Sequence, residues 1–240
     1  MDTVIEVKGM AHSFGEEAVL KDINMNIGSG EIYGLLGPSG AGKTTLVKMI
    51  VGIMEADTGE AWVEGVKMPS LEQMRKVGYM AQSDALYSEL SARENLEFFA
   101  SIYGLKRPKR KERIEDVMRV VGLTEHMNKP VRNYSGGMKR RLSLAIALLH
   151  EPNVLILDEP TVGIDPVLRQ SIWAELNRWK EKGASIIVTT HVMDEADKCD
   201  RLAMLRDGYV IASGTPEELK QQTGGATIEE AFLAYGGGRS

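Results

Sequence analysis

The chain has 240 residues, of which 43% are hydrophobic and 26% are charged, and its formal net charge is −5. These values are typical of a soluble globular protein with one large domain, and the acidic balance disfavours nucleic acid as a partner. The single cysteine, Cys199, excludes an internal disulfide or a cysteine-based metal cluster and is typical of a reducing compartment. The first residues lack a basic segment followed by an apolar core, so we predict no signal peptide. No apolar run approaches the roughly 20 residues that span a bilayer, so we expect any membrane role to come through a partner.

Three short segments in the first quarter of the chain alternate between apolar and polar residues, as half-buried strands do. They are Val4–Val7, Asn24–Ile27 and Glu60–Val63, and together they predict an antiparallel patch. Phe14 lies in a polar stretch between the first two of these strands, where we expect a loop. A flat ring on that loop can stack on a purine, and the alternative is an aromatic residue folded onto the core.

A glycine-rich stretch from residue 37 to residue 45 fills every fixed position of the phosphate-binding template G-x-x-x-x-G-K-[ST]. It follows the apolar run Ile32–Leu36, which predicts a buried parallel strand, and it precedes a predicted helix. Glycines allow several backbone N–H groups to face a phosphate, Lys43 adds a charge near the β- and γ-phosphates, and Thr44 offers a hydroxyl to Mg²⁺. The predicted nucleotide-binding residues here are Gly37, Pro38, Ser39, Gly40, Ala41, Gly42, Lys43, Thr44 and Thr45.

The middle of the chain changes from strand to helix periodicity. Val77–Met80 predicts a strand that runs into Gln82, whose side chain can reach a metal or a water; the alternative is a solvated loop residue. Between residues 91 and 150, apolar residues recur three and four apart, which predicts a helical lobe inserted into the α/β core. The basic run 106–113 lies in this lobe, but without interleaved aromatic residues it favours a solvated loop and helix start over a nucleic-acid patch.

Two further segments predict groups that contact an anion or a metal. Asn133–Leu142 is a small-residue turn that opens into a helix, so Ser135–Gly137 predicts a second anion site at a helix N-terminus. The buried strand Val154–Leu157 ends in Asp158 and Glu159, at the edge where open α/β sheets bind ligands. We expect strand alternation to send these two side chains opposite ways, with Asp158 holding Mg²⁺ and Glu159 facing an attacking water.

The last third of the chain predicts further α/β structure. Apolar residues between 168 and 179 recur with helical spacing and predict a core-facing helix that is stopped by Gly183. Ser185–Thr190 predicts a buried strand with His191 at its end, where a phosphate contact is favoured over a structural role. A hairpin around residues 207–208 and two short helices between residues 216 and 235 follow, and residues 236–240 are expected to fray.

These separated motifs occur together and in order, and over nearly its full length the chain resembles the nucleotide-binding subunit of an ATP-binding-cassette (ABC) transporter. The most specific element is the segment Tyr134-Ser135-Gly136-Gly137-Met138, which is similar to the family's signature. The resemblance places Phe14 at the adenine-stacking position, Gln82 in the glutamine loop and His191 at the histidine switch. It also places Asp165, in the loop after the acidic strand end, among the ATP-binding residues.

The signature departs from the common family pattern at both ends. Tyr134 and Met138 stand where leucine and glutamine are common, so the glutamine contact is absent, whereas the serine and both glycines remain. Together with Pro160–Gly163 and Asp84–Tyr87, this variant resembles the branch that exports drugs, lipids and polysaccharides.

The resemblance implies a fold and a domain organisation. The fold is a P-loop (RecA-like) α/β domain with a mostly parallel sheet, an N-terminal antiparallel β patch and an inserted α-helical lobe. A single ATPase domain occupies residues 1–240, with residues 1–90 and 151–240 forming the core and residues 91–150 the helical lobe that carries the signature.

The resemblance also implies a mechanism and partners. Two copies, as a homodimer or as a heterodimer with a similar subunit, enclose each ATP between the phosphate loop of one and the signature of the other. A multi-span membrane permease subunit converts ATP binding and hydrolysis into transport, which places the chain peripherally at the cytoplasmic face of the membrane. The implied catalytic residues are Glu159, His191, Lys43 and Gln82, and the implied magnesium ligands are Thr44, Gln82 and Asp158.

Two other functions are compatible with a phosphate loop. A soluble, non-transport ABC ATPase would use the same dimer as an assembly or repair clamp, but a repair ATPase normally carries a long heptad insertion that this sequence lacks. A small-molecule kinase would leave the signature without a purpose. The sequence therefore favours a transport ATPase, and it does not name the cargo.

Overall fold

The computed structural model describes residues 2–83 and 85–237. Asp84, on which the exporter resemblance partly rests, lies outside the described residues, as do the last three residues of the predicted frayed end. The chain separates into two compact units. The second unit is Arg75–Ala184, and the first consists of the residues up to Met74 and those from Ser185 onwards. None of the helices in the described part of the chain combines the length and the hydropathy that a bilayer crossing requires.

The secondary structure follows the chain through the first unit, then the second, then the first again. The first unit begins with β1 (Thr3–Phe14), β2 (Glu17–Gly28), β3 (Ile32–Leu36), α1 (Lys43–Val51), β4 (Thr58–Val63), β5 (Val66–Lys67) and α2 (Leu71–Met74). The second unit contains β6 (Val77–Met80), α3 (Ala92–Ile102), α4 (Arg107–Val120), two short 3₁₀ turns (Thr124–His126 and Val131–Asn133), α5 (Gly136–Leu148), β7 (Val154–Asp158) and α6 (Pro166–Glu181). The first unit ends with β8 (Ser185–Thr190), α7 (Met193–Ala196), β9 (Arg201–Arg206), β10 (Tyr209–Gly214), α8 (Pro216–Thr223) and α9 (Ile228–Gly236).

The strands of the first unit lie in two sheets. The antiparallel sheet has the order β2-β1-β4-β5, which confirms the predicted antiparallel patch. In the other, β3 lies between β8 and β9 and runs parallel to both, while β10 pairs antiparallel with β9 as the predicted hairpin. Every residue of β3 and β8 is buried, as expected for continuous apolar runs that are covered on both faces.

The predicted loop around Phe14 is wrong. β1 continues through His12, Ser13 and Phe14, and Phe14 pairs with Glu17 at the start of β2. The pairing of β1 with β2 shifts register at several points, and these irregularities let one strand run for 12 residues despite its polar end. Phe14 is therefore held by a strand end next to a tight turn.

In the second unit, β6 and β7 pair in parallel, and α5 packs against both strands. The helix α5 ends against a buried arginine, because Arg113 of α4 donates hydrogen bonds to the carbonyl oxygens of Leu148 at 2.9 Å and Leu149 at 3.2 Å. Those carbonyls lack partners within the helix, so the guanidinium satisfies them in a buried position. The predicted α/β class, with a parallel sheet and an antiparallel patch, is confirmed.

The end of the chain is more ordered than predicted at one position. Gly236 belongs to α9 and is buried, whereas we expected fraying to begin there. Its Cα faces the guanidinium of Arg206, so closely that an added Cβ would collide with the side chain. A side chain at position 236 would therefore require Arg206 to move, and composition alone did not predict a buried helical residue here.

Candidate functional site

The phosphate loop, residues 37–45, leads from β3 into α1. Gly42 is the N-cap of α1 and has a left-handed backbone with φ of 99°, a conformation that favours glycine. Because the cap is glycine, it has no side chain that could occupy the first N–H groups of the helix. Lys43 is buried, and its Nζ donates to the carbonyl oxygens of Gly37 at 2.7 Å and Pro38 at 2.9 Å. The loop thus brings a cation and a helix N-terminus together, a combination that binds phosphate.

Two glycines of the phosphate loop are required by the backbones packed around them. A Cβ on Gly37 would lie 2.4 Å from the carbonyl oxygen of Leu205 in β9. A Cβ on Gly42 would lie 2.9 Å from the carbonyl oxygen of Val19 in β2. Gly40, by contrast, has no described atom within 4 Å of that position. The base of the loop is therefore tightly packed, while its outer turn is open.

The segment that carries His191 lies beside the start of this loop. The N–H of Gly37 donates to the carbonyl oxygen of Thr190 at 3.3 Å, so the end of β8 adjoins the phosphate loop. The Thr190 hydroxyl donates to the buried carboxylate of Glu195 at 2.8 Å and accepts from the N–H of Val192 at 3.0 Å. These bonds fix the turn on both sides of His191, whose own side chain is exposed. Sequence reasoning missed the roles of Thr190 and Glu195.

Phe14 presents an exposed ring in the first unit, since 52% of the residue is accessible. It has not folded onto the core, which was the alternative interpretation of its sequence position. The strand that follows its turn, β2, also supplies the backbone that packs against Gly42 of the phosphate loop. The ring and the loop are thus tied to the same strand.

The acidic pair of the second unit lies at the end of β7. Asp158 is fully buried, and Glu159 is partly exposed. We expected strand alternation to send the two side chains opposite ways, but the strand does not include both residues. β7 ends at Asp158, and Glu159 adopts a left-handed backbone with φ of 52°. The direction of the Glu159 side chain therefore comes from this left-handed residue and not from the pleat of a strand. Non-glycine residues uncommonly adopt such a backbone, and it occurs both in ordinary turns and at functional sites.

Gln82 and Glu159 are brought together by the structure, although they are far apart in sequence. The amide Nε2 of Gln82 lies 3.4 Å from Oε2 of Glu159, within hydrogen-bonding distance. The amide therefore donates a long, direct hydrogen bond to the carboxylate, so the two side chains lie at the same place.

A buried arginine holds the chain segments that carry these two residues. The guanidinium of Arg140, in α5, donates to the carbonyl oxygens of Ala81 and Gln82, both at 2.8 Å. It also donates to the carbonyl oxygen of Glu159 at 2.7 Å and to that of Asp158. One planar group therefore ties the segment after β6 to the end of β7. The sequence analysis assigned no role to Arg140, since its partners are main-chain atoms.

Tyr79, near the end of β6, lies close to the acidic pair. Burial raises the pKa of Tyr79 to about 12, and the negative charge of Asp158 acts in the same direction. The phenol therefore stays neutral at physiological pH, and it adds no charge beside Asp158.

The signature turn, Tyr134–Met138, opens α5. The hydroxyl of Ser135 accepts a hydrogen bond from the N–H of Met138 at 3.2 Å and so caps the helix. Tyr134 is buried, and its hydroxyl donates to the carbonyl oxygen of His126 at 2.7 Å. The tyrosine that departs from the common signature thus anchors the turn to the first of the two 3₁₀ turns, Thr124–His126. Ser135 and Gly136 are exposed, and Gly137 is partly exposed.

Asp165 is the N-cap of α6, and its side chain accepts from the N–H of Leu168 at 2.9 Å. Within this chain, the Asp165 side chain therefore caps its own helix. Its assignment to ATP binding remains a prediction.

The donor set predicted for Mg²⁺ matches that ion in its chemistry. Thr44, Gln82 and Asp158 offer a hydroxyl, an amide and a buried carboxylate, all of which present oxygen. No cluster of three or more histidine, cysteine, aspartate or glutamate residues suited to a metal occurs in the described ranges. Magnesium is commonly held by one or two carboxylates together with water and substrate phosphates, so such a cluster is not needed.

Three comparisons identify similar proteins. A family model described as ABC transporter matches residues 20–162. The probable multidrug ABC transporter ATP-binding protein YbhF of Escherichia coli K12 is 42% identical over an alignment of 239 positions that covers 97% of this chain. The chain spans 41% of the length of YbhF. The linearmycin resistance ATP-binding protein LnrL of Bacillus subtilis is 39% identical over an alignment of 241 positions that covers 96% of this chain and 78% of LnrL.

A solved structure is also similar to this chain. It is the dimeric structure of a post-hydrolysis state of the ATP-binding cassette MJ0796, bound to ADP and Pi. The TM-score is 0.83 at 27% sequence identity, over 88% of this chain and 98% of that one.

Proposed function

The chain belongs to the ABC transporter family, and from that premise we propose that it is the ATP-binding and ATP-hydrolysing subunit of an exporter. The names of two relatives, a multidrug transporter protein and a linearmycin resistance protein, support export. A separate membrane subunit would carry the cargo, and this chain would work peripherally at the cytoplasmic face of the membrane.

In this proposal, each part of the site has one task in binding ATP. The phosphate loop binds the β- and γ-phosphates through its N–H groups and Lys43, and Phe14 stacks on the base. Thr44, Gln82 and Asp158 would hold Mg²⁺, which supplies positive charge to the phosphate oxygens when bound. His191 contacts the γ-phosphate from the turn that Thr190 fixes.

The observation that carries the hydrolytic part is the contact between Gln82 and Glu159. Glu159 has a left-handed backbone, its carbonyl oxygen accepts a hydrogen bond from Arg140, and its carboxylate is 3.4 Å from the amide of Gln82. We assign Glu159 as the general base that orients a water and takes its proton during attack on the γ-phosphate. Gln82 would hold the same water and orient the carboxylate.

The experiment that tests this assignment replaces Glu159 by glutamine. Glu159→Gln keeps the size and the hydrogen-bonding capacity of the side chain, but the amide cannot take a proton. We expect ATP turnover to fall roughly 10²–10⁴-fold, which is the usual contribution of general acid–base catalysis. ATP affinity should persist, and the ATP-bound dimer should accumulate on a sizing column.

The matched control is Glu151→Gln. Glu151 lies in the same unit and also has a left-handed backbone, with φ of 55°, but its carboxylate pairs with Lys109 at 2.7 Å on the surface. Turnover by Glu151→Gln should stay near the wild-type rate. If Glu159→Gln hydrolyses ATP as fast as this control, Glu159 is not the general base.

We propose that the functional unit is a dimer in which each ATP lies between the phosphate loop of one copy and the signature turn of the other. The dimeric post-hydrolysis cassette is a structural precedent at 27% identity. The exposed N-terminus of α5 supports the proposal, because a second helix N-terminus suits the γ-phosphate of a partner's ATP. The two copies form either a homodimer or a heterodimer with a similar subunit, and the homodimer is the simpler proposal.

An apolar surface of the second unit is proposed to receive the membrane subunit. The aromatic shelf, defined here as Tyr87, Phe98 and Ile102, is exposed at 47%, 40% and 48% respectively. Tyr87 and Phe98 pack edge to face, with ring centroids 4.8 Å apart. The main chain of Tyr87 is anchored to α3, because the buried side chain of Asn95 accepts from the N–H of Tyr87 at 2.9 Å and donates to its carbonyl oxygen at 3.1 Å. A fixed apolar shelf that follows Gln82 in sequence suits a short helix of a membrane partner.

The shelf is tested by Tyr87→Asp, and by Leu86→Asp at the partly exposed residue next to it in the same loop, in cells that also express the membrane protein of the neighbouring reading frame. We expect both variants to dimerise with ATP but to lose co-purification with that protein. Leu233→Asp is the control, since Leu233 is an even more exposed apolar residue, at 62%, but lies in α9 of the first unit. Normal co-purification and transport by Tyr87→Asp and Leu86→Asp would place the docking surface elsewhere.

The alternative of a soluble assembly or repair clamp is not favoured. The helices of the second unit are ordinary in length, the longest being α6 with 16 residues, and no long coiled coil occurs in the described residues. The names of the relatives refer to transport and resistance.

A further inference from the structure

The exposed ring of Phe14 does not stand alone, because a second ring supports it. The imidazole of His12 packs against Phe14 with ring centroids 4.7 Å apart and an interplanar angle of 88°. This is an edge-to-face contact, a preferred geometry for aromatic pairs. His12 itself is largely covered, with 13% of its side chain exposed. The Phe14 ring is therefore in contact with a largely covered neighbour, while 52% of the Phe14 residue stays accessible.

The orientation of His12 is set by Asp57, which lies in the turn before β4. Oδ1 of Asp57 is 3.0 Å from Nδ1 of His12, and Oδ2 accepts from the N–H of Ser13 at 2.7 Å. The N–H of Asp57 in turn donates to the carbonyl oxygen of Ala11 at 3.0 Å. Asp57 is therefore locked to the backbone on both sides of His12, and both of its carboxylate oxygens are in use.

The second imidazole nitrogen of His12, Nε2, is not used for hydrogen bonding within the described residues. Nε2 of His12 is buried and has no hydrogen-bond partner among the described residues. The contact with Asp57 thus fixes Nδ1 as the donor and alone determines how the ring is turned. Burying a polar atom without a partner is unfavourable, and an apolar side chain would fill the same space without that cost. A role in packing alone therefore does not account for a histidine here.

We propose that His12 and Asp57 are positioning residues that hold the ring of Phe14 in the orientation needed to stack on the base of ATP. The inference rests on the proposed function, in which Phe14 stacks on that base. Holding the ring in advance reduces the conformational freedom that is lost on binding, so it strengthens stacking without adding a contact to the nucleotide. Neither His12 nor Asp57 needs to touch ATP.

The test compares two ligands that differ in the presence of a base. Dissociation constants of the purified full chain are measured for ATP and for inorganic tripolyphosphate, each with Mg²⁺. The variants are His12→Ala, Asp57→Asn and Phe14→Ala, together with the double variant His12→Ala/Phe14→Ala. Asp57→Asn keeps the shape of the side chain and replaces one carboxylate oxygen by an amide, so it tests the orientation of His12 without opening a cavity. Lys8→Ala removes an exposed ion pair with Glu6 on the same strand and serves as the control.

The expected result is a selective loss. His12→Ala and Asp57→Asn should weaken ATP binding about two- to tenfold, which corresponds to the worth of an aromatic pair, and leave tripolyphosphate binding unchanged. Phe14→Ala should lose at least as much affinity for ATP, and the double variant should lose no more than Phe14→Ala, because His12 acts only through that ring. Lys8→Ala should bind both ligands like the wild type.

Three results would overturn the positioning role. An equal loss for ATP and tripolyphosphate would show that His12 merely supports the fold of the site. Additive losses in the double variant would show that His12 acts independently of Phe14. An unchanged ATP affinity in Phe14→Ala would leave nothing for His12 to position. Failure of the proposed function gives a different result, since the wild-type chain would then bind neither ligand.

Discussion

The phosphate loop and the signature turn are both glycine-rich turns that open a helix, and they differ in what surrounds each glycine. In the phosphate loop, a Cβ on Gly37 or on Gly42 would lie within 3 Å of a backbone oxygen from another strand. In the signature turn, a Cβ on Gly136 would meet no described atom within 4 Å, and one on Gly137 would meet only the carbonyl oxygen of Gly163, at 3.2 Å.

The two helix caps differ in the same way. The N-cap of α1 is Gly42, which leaves the first N–H groups without a side-chain partner from the cap, whereas the N-cap of α5 is Ser135, whose hydroxyl bonds to Met138. The fold of the first unit therefore demands its glycines. The fold of the second unit places no such demand on Gly136 and a weaker one on Gly137, so we infer that their small size also serves a molecule that approaches the turn from outside the chain.

The largest predicted effect comes from placing a charge at the signature turn. Gly137→Asp puts a carboxylate where we propose a partner's γ-phosphate, so like-charge repulsion should abolish ATP-driven dimerisation and lower hydrolysis by at least about 10²-fold. ATP affinity of the monomer should remain nearly intact. Hydrolysis is measured in the chain that keeps Glu159. Equilibrium ATP binding and light scattering behind a sizing column, with ATP, are measured in a Glu159→Gln background, in which the wild-type signature turn should give a stable dimer.

Mixing two defective chains sharpens this prediction. A heterodimer of Gly137→Asp with Lys43→Ala would have one site in which an intact phosphate loop meets an intact signature turn. Hydrolysis should therefore partly recover in the mixture, although neither chain alone is active. A mixture that remains inactive would contradict independent sites shared between two copies.

A smaller effect should distinguish a phosphate-loop glycine from a signature-turn glycine by the change in the free energy of unfolding when each is replaced by alanine. Gly37→Ala forces a methyl group against the backbone of β9 and should lower the free energy of unfolding by about 1–3 kcal/mol, the usual cost of overpacking. Gly136→Ala should leave that free energy unchanged or slightly raise it, because alanine favours helix and the space is open. Thermal denaturation without nucleotide measures both. A similar loss of stability in the two variants would remove the distinction drawn here.

The smallest predicted effect is a loss of stability at acidic pH in the second unit, which carries the signature turn. His150 lies two residues beyond the end of α5 and stacks on Tyr103, with ring centroids 3.8 Å apart. Burial lowers the pKa of His150 from its ordinary 6.5 to about 4, and the charge of Arg113 acts in the same direction. Between these pH values the unfolded chain binds a proton that the folded chain does not. The contribution of His150 to the free energy of unfolding should therefore be fully present above pH 6.5. The free energy of unfolding should decline as the pH falls towards 4, by at most about 1.4 kcal/mol per pH unit.

This decline is measured by chemical denaturation from pH 7 to pH 5 in the wild type and in His150→Phe, which keeps a ring against Tyr103 but cannot titrate. The variant should show a shallower decline. Hydrogen exchange should locate the loss of protection in Arg75–Ala184, the unit of His150. Equal slopes for the two proteins would show that His150 is not the responsible group.

Much of the fold was predictable because its signals are local. β3, β7 and β8 are continuous apolar runs, and such runs are typical of strands buried on both faces. The phosphate loop is recognisable from its spacing, since a single turn supplies all of its groups. The signature turn was recognised as a helix N-terminus for the same reason.

The features that sequence did not predict depend on distant partners or on a single backbone angle. Phe14 was expected in a loop, because the polar residues before it hid a strand whose pairing to β2 is irregular. The left-handed backbone of Glu159 leaves no mark in the sequence. Arg140 and the pair of His12 with Asp57 were missed, since each makes its contacts with residues far away in the chain. Their partners are known only once the strands are placed.

The anchoring by Arg140 has an evolutionary consequence. Its hydrogen bonds at the ends of β6 and β7 go to carbonyl oxygens, which every amino acid provides. Mutation of the Gln82 or Glu159 side chain therefore leaves this anchor in place, and the two segments keep their positions. If Glu159 is the general base, as we propose, a duplicated gene that lost this glutamate would still encode a folded subunit, one that binds ATP without hydrolysing it. In the proposed dimer, the scaffold would then permit asymmetric pairs, in which one subunit hydrolyses ATP and its sister only binds it.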